Sequence, residues 1–236
     1  LTGILQKTFD DILANNPKAP KLTVQGDKLN QIYFPGNFDT PTHGFAAFHQ
    51  STYNDLFVEG LSITAGIRLD YEKASLDYHS AVDSMKIGVE MGPMKMTLPV
   101  TTTMDGKISQ DFLQVLPKVS LRYQCTPETF TYVSVAKGYK TGGYNVQMFG
   151  DLVQAQAKYE LMSKFAPDKA EQPEEVKNVA SYKPEHSWNY EAGIRSELIQ
   201  GRLSAELTLF YMDIRDIQLT SFAENGSGRL ITNGGK

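Results

Sequence analysis

The chain has 236 residues, of which 41% are apolar and 21% charged, and its formal net charge is −4. Without a basic excess it lacks the electrostatic footprint of a nucleic-acid binder, and its single cysteine, Cys125, excludes an intrachain disulfide. No apolar run reaches the length of a transmembrane helix, which still leaves strands that show only alternate residues to lipid.

In chain order, Leu1, Ile4, Leu5, Phe9, Ile12 and Leu13 recur at helical spacing and predict a short amphipathic helix. Residues 15–42 hold four prolines and many polar residues and read as loop, so residues 1–42 form a loop-plus-helix lead-in. A weakly alternating strand follows over 44–50, with turn chemistry at Tyr53-Asn54-Asp55. From Leu61 the alternation is clear. Leu61, Ile63, Ala65, Ile67, Leu69 and Tyr71 are apolar, and Ser62, Thr64, Gly66, Arg68, Asp70 and Glu72 are small or polar. That run predicts a strand over about 58–78.

Residues 80–105 carry Met85, Met91, Met94, Met96 and Met104. Methionine sulfur suits soft metals such as Cu(I), but the spacing is irregular and no His or Cys joins in. An adaptable packing surface or a small hairpin is the favoured reading. Two more strands flank a short turn at Cys125-Thr126-Pro127-Glu128, and the second, over 130–139, breaks at Thr141-Gly142-Gly143. Residues 145–183 are long and polar, with 154–164 readable as helix; connections of this length are functional or disordered. Trp188, Tyr190, Ala192, Ile194 and Leu198 then alternate with Asn189, Glu191, Gly193, Arg195 and Glu197. After a tight turn at Gln200-Gly201, Leu203, Ala205, Leu207, Leu209 and Tyr211 alternate with Ser204, Glu206 and Thr208 in a strand read over 202–219. A loop over 221–229 precedes a last strand from about Leu230.

Runs of this length exceed the usual ~5–6 residues of a soluble strand and approach the ~9–11 that a tilted strand needs to cross a bilayer. The connections alternate: short near Asn54, Pro127 and Gly201, long over 80–105, 145–183 and 221–229. Outer-membrane barrels show this asymmetry, with short periplasmic turns and longer extracellular loops. The fold class read from the pattern is all-β, an antiparallel transmembrane β-barrel present as an incomplete piece over 43–236.

Four stretches resemble TonB-dependent outer-membrane receptors. They are Pro117-Lys118-Val119-Ser120-Leu121-Arg122-Tyr123 with Tyr132 to Asn145, Lys183-Pro184-Glu185 through Trp188-Asn189-Tyr190-Glu191-Ala192-Gly193-Ile194-Arg195, Leu209 to Gln218 ending in Asn233-Gly234-Gly235, and Ala46-Ala47-Phe48 with Gly66 to Glu72. They keep the family's order over about 45–236, and their wording is similar to the iron-complex, siderophore-type branch of a Bacteroides-like organism. The resemblance implies a 22-stranded barrel filled by a plug domain, in the outer membrane of a Gram-negative bacterium. It implies import of a small-molecule metal complex, driven through TonB. The plug and the TonB-contacting segment are absent here, and about seven or eight strands of the barrel are present. The chain therefore reads as an interior piece of a longer protein, with any export signal upstream.

In a barrel of this family the apolar faces would meet outer-membrane lipid. Arg68, Asp70, Arg122, Glu191, Arg195 and Glu206 would line the interior, because a mid-bilayer Arg facing lipid costs ~2–4 kcal/mol. Trp188, Tyr190, Tyr123, Tyr139, Tyr144 and Tyr211 are candidates for interfacial girdles, or else for ordinary cross-strand aromatic packing. The stretch from Tyr139 to Asn145 is the segment expected nearest a ligand. The competing reading gives Gly142-Gly143 only backbone freedom, and no binding residue is assigned. No cofactor is expected.

His43, His49, His79 and His186 fall in no metal-ligand spacing, and there is no nucleophile elbow or phosphate loop, so no catalytic or metal residue is assigned and an enzyme is not expected. Two alternatives stand: a soluble or surface-attached β-sandwich that binds polysaccharide or protein, and a passive porin-like channel.

Overall fold

Strict apolar–polar alternation folds as expected into strands with two unlike faces. The structure is a computed structural model that describes residues 6–7, 10–11, 14, 20–26, 32–83, 85–165, 167–199, 201–222 and 229–235. The strands are β1 (Lys21–Gln25), β2 (Gly36–Asp39), β3 (Thr42–Asn54), β4 (Leu61–Ala81), β5 (Lys86–Met91), β6 (Met94–Pro99), β7 (Thr103–Thr126), β8 (Thr129–Lys140), β9 (Gly143–Tyr144), β10 (Ser181–Tyr182), β11 (Glu185–Ile199), β12 (Leu203–Arg215), β13 (Gln218–Phe222) and β14 (Arg229–Asn233). Two helices, α1 (Phe149–Phe165) and α2 (Val176–Ala180), lie between β9 and β10. The helix expected over 1–13 falls mostly outside the described residues, although Gln6, Lys7, Asp10 and Asp11 are helical.

Seven strands form one antiparallel sheet in the order β12-β11-β8-β7-β4, with β2 and β3 both on the far side of β4. The sheet is open, with β12 at one edge. β2 pairs with the late part of β4 and β3 with the early part, in step, so they are one strand interrupted at Thr40-Pro41. Proline has no N–H to give the ladder. Residues 15–42, read as loop, therefore contain β1 and β2; Gly, Pro and Asn at 35–37 masked a strand only four residues long.

The register puts like with like. Ile63 faces Tyr53 and Leu121, Ala65 faces Val119, and Val119 faces Val135. Val135 then faces Tyr190, which faces Tyr211. One continuous apolar face results, and it stands exposed: Val119, Val133, Leu207 and Leu209 all lie open. The short connections after β3, β7 and β11 share one end of the sheet. At that end Gly60 and Gly201 take positive φ, and Asp55 accepts the Gly60 N–H at 2.7 Å. The β5–β6 hairpin, the α1–α2 insertion and the β13–β14 hairpin all leave from the other end. Among the described residues no helix is long and apolar enough to cross a membrane, which says nothing of a barrel that crosses with strands.

The buried core sits at the loop end, not between layers of the wall. Val153, Ala157, Leu161 and Met162 of α1 pack on Leu22, Val24, Ile87 and Val89 of the β1–β5–β6 sheet. Phe149 and Leu152 pack on Leu76, Phe38, Tyr78 and Ile108. Helical spacing brings these apolar residues of α1 together in contact with two different sheets. β4 and β7 stay paired from Leu61 and Tyr123 up to Ala81 and Thr103, so they rise past β8 as a two-stranded arm that carries this core.

Candidate lumen wall and its roof

The second face of the sheet carries the polar side chains. Arg68 and Asp70, Arg122, Glu191, Arg195 and Glu206 all lie on it, as the alternation predicts, because their cross-strand partners run Arg122–Tyr132–Gly193–Thr208 and Phe130–Arg195–Glu206. Arg68 is 2.8 Å from buried Asp70. Tyr132 donates its hydroxyl to Glu191 at 2.6 Å and lies 3.2 Å from the Thr208 hydroxyl. The Arg122 guanidinium sits 4.0 Å from the centroid of the Phe130 ring and donates to Gln124 at 2.9 Å. Near the short turns these side chains and Arg195, Glu197 and Arg202 line a cleft of about 680 Å³. The face is not wholly polar: Phe48 and Phe210 also lie on it, on the two outermost strands, and are exposed.

Toward the loop end the same face is roofed. Leu76, Tyr78 and Ile108 continue the polar side of β4 and β7, and α1 packs on them. The insertion therefore folds over the polar face and not over the apolar one. Its entry is tight. A Cβ on Gly142 would come within 2.4 Å of the Tyr182 carbonyl oxygen and 2.9 Å of the Phe112 ring, and one on Gly143 within 2.6 Å of the Tyr182 hydroxyl. Neither glycine has positive φ, so they are required by close approach and not by backbone freedom. Burial pushes the Tyr182 hydroxyl pKa above its usual value.

The stretches that carried the resemblance meet at this end. The Lys183 N–H donates to Asn233 Oδ1 at 2.7 Å, and Asn233 Nδ2 donates to the carbonyls of Lys183 and Asp216, each at 2.9 Å. Gln218 donates from its side chain to the Thr141 carbonyl at 2.7 Å and from its backbone to Glu185 at 2.8 Å. Asn145 is buried, and its side chain pairs with both backbone groups of Ile231, at 2.9 and 2.8 Å. The Tyr139–Asn145 stretch, the expected ligand-proximal segment, thus ties the insertion to β14 through the Asn145 side chain.

The aromatic residues divide. Tyr190 and Tyr211 pair on the apolar face with centroids 6.1 Å apart, Phe45 and Tyr71 do so at 5.1 Å, and Tyr53 and Tyr123 stand exposed near the short turns. Trp188 shares that face and is half-buried. Tyr144 does not belong to a girdle. It packs in the roof core with its hydroxyl donating to the Ala74 carbonyl. Among the described residues, no three His, Cys, Asp or Glu side chains gather as a metal-holding group.

A family model described as the β-barrel of TonB-dependent receptor-like proteins matches residues 6–236. The chain belongs to this TonB-dependent receptor family. It is 26% identical over 201 residues to the pesticin receptor of Yersinia pestis, a match covering 85% of this chain and 23% of that protein. It is 26% identical over 182 residues to the pesticin receptor of Yersinia enterocolitica, covering 77% and 20%. The crystal structure of the ferric yersiniabactin uptake receptor FyuA from Yersinia pestis superposes with a TM-score of 0.50 at 23% identity, over 79% of this chain and 22% of that one. The chain thus spans under a quarter of the length of these relatives, and its open sheet is a sector of the TonB-dependent receptor barrel. Members of the family are outer-membrane receptors and transporters, not enzymes.

Proposed function

We propose that this chain forms part of the wall and outer vestibule of a receptor in the outer membrane of a Gram-negative bacterium. The receptor imports a scarce small-molecule metal complex, a ferric siderophore, with energy delivered by TonB to a part of the protein outside this chain. The observation that carries this reading is the placement of the roof. The long excursions leave one end, and α1 packs on the continuation of the polar face, over the lumen. A wall of this kind guards an entry. The relatives' names, a pesticin receptor and a ferric yersiniabactin uptake receptor, support iron-complex cargo.

The test is uptake of ⁵⁵Fe by cells carrying the intact protein, with and without a working TonB. The probes are ferric yersiniabactin and a panel of catecholate and hydroxamate ferric siderophores. TonB-dependent accumulation of at least one supports the reading. Accumulation that persists without TonB contradicts it and favours a passive channel. No accumulation of any iron complex moves the cargo to another chemistry.

A further inference from the structure

Five methionines crowd residues 85–104, and the fold sorts them. Met85 is 4% exposed and Met104 packs against both core clusters. Met91, Met94 and Met96 are 55, 59 and 46% exposed and join neither cluster. These three occupy the tip of the β5–β6 hairpin. The turn there is Gly92-Pro93, with Gly92 at φ +60°, so the ladder holds to its last pair.

Met91 and Met94 are that last pair, directly opposite each other, and Met96 lies opposite Val89. Residues two apart on a strand share a face, as do directly paired residues, so all three thioethers project from one side. Directly opposite Cβ atoms lie ~4.5–5.5 Å apart and diagonal neighbours ~7–8 Å, within reach of long side chains. The same face holds Ile87 and Val89 farther down, where α1 covers it. The charged residues of the hairpin are elsewhere: Glu90 pairs with Lys95 at 2.9 Å on the opposite face. Neither carboxylate nor ammonium from the hairpin competes on the thioether side.

We propose that Met91, Met94 and Met96 form a three-sulfur site for one soft monovalent cation, Cu(I), at the outer tip of the receptor. Thioether ligands select Cu(I) over the hard cations, which prefer oxygen. Three flexible arms on a rigid ladder can converge on a low-coordinate ion, and half-exposed sulfurs can exchange it with solvent. The site is separate from the lumen, and it does not depend on which complex the receptor imports.

The test uses the intact protein in detergent micelles, carrying Cys125→Ser so that the exposed thiol at the far end of the sheet does not bind the metal. Methyl-¹³C-methionine spectra are recorded during titration with Ag(I), a redox-inert stand-in for Cu(I). Cu(I) is then competed against bicinchoninate. The methyl signals of Met91, Met94 and Met96 are expected to shift together and saturate at a single equivalent. Met91→Leu, Met94→Leu and Met96→Leu should each weaken Cu(I) retention, and the triple variant should abolish it. Leu conserves volume, so the fold is kept, which unchanged methyl signals of core Met85 and Met104 verify. The proposal is overturned if the three signals stay put, or if they move no more than that of exposed Met212 and never saturate.

Discussion

Tyr132 reaches across Gly193 to donate its hydroxyl to Glu191 at 2.6 Å, so three residues of neighbouring strands act as one unit on the polar face. A Cβ on Gly193 would come within 2.6 Å of the ring. The Glu191-Ala192-Gly193 stretch is thereby explained as carboxylate, apolar-face spacer and gap. Gly193→Ala should displace the ring and destabilise the barrel by about 1–3 kcal/mol, the usual range for overpacking. In a Tyr132→Ala background the same change should cost much less. Thermal unfolding of the four proteins in detergent measures the coupling; equal costs in both backgrounds would refute it.

Asn145 replaces a strand neighbour for Ile231, satisfying both of its backbone groups. Asn145→Ala leaves those groups without their partner, a loss of about 1–3 kcal/mol. Hydrogen exchange should accelerate over 229–233 and over the insertion at 143–182, with the wall strands unchanged.

The Glu90–Lys95 pair gives the outer hairpin a pH dependence. Lys95 lowers the Glu90 pKa below its ordinary 4.5, first by hydrogen bonding and then by charge. A carboxyl depressed in the folded state contributes stability that is present above its unfolded value and lost as pH falls through the folded one. Exchange protection over 86–99 should therefore decline below about pH 4.5 more steeply in the native protein than in Lys95→Gln. Both groups are exposed, so the difference should be small, and it should shrink with added salt.

Neighbouring positions of β7 should answer oppositely to charge. Val119 lies on the apolar face and Ser120 on the polar face, next to each other on the strand. Val119→Arg should cost ~2–4 kcal/mol and reduce folding into liposomes. Ser120→Arg should fold nearly as well as the native chain. Heat-modifiable gel mobility reads both.

The wall was legible because alternation is a local signal: Leu61 to Glu72 and Trp188 to Glu197 announce two faces without any knowledge of partners. The six charged residues assigned to the interior needed only that parity. The roof was not legible. Its core joins Leu22 to Ile87 and Val153, contacts between segments far apart in the chain that no local period encodes. The α1 helix was read late and short, over 154–164, because apolar contacts with two sheets blur the one-sided stripe that marks an amphipathic helix. Gly142-Gly143 was read for backbone freedom, whereas the space above each is filled by Tyr182 and Phe112 from distant strands. Tyr144 reads as a girdle candidate from position alone; its hydroxyl's partner, the Ala74 carbonyl, is distant in sequence (|i−j| = 70).

The central claim, that the two faces of this sheet meet lipid and lumen, is tested most directly by a spin-label scan of β12 in the intact protein reconstituted in liposomes. Nitroxides placed one at a time from Ser204 to Met212, in a Cys125→Ser background, are probed with oxygen and with an aqueous nickel chelate. Oxygen access should peak at Ala205, Leu207, Leu209 and Tyr211 and dip at Ser204, Glu206, Thr208 and Phe210, with nickel in opposite phase. A flat profile, or nickel access equal on both parities, would contradict the membrane wall.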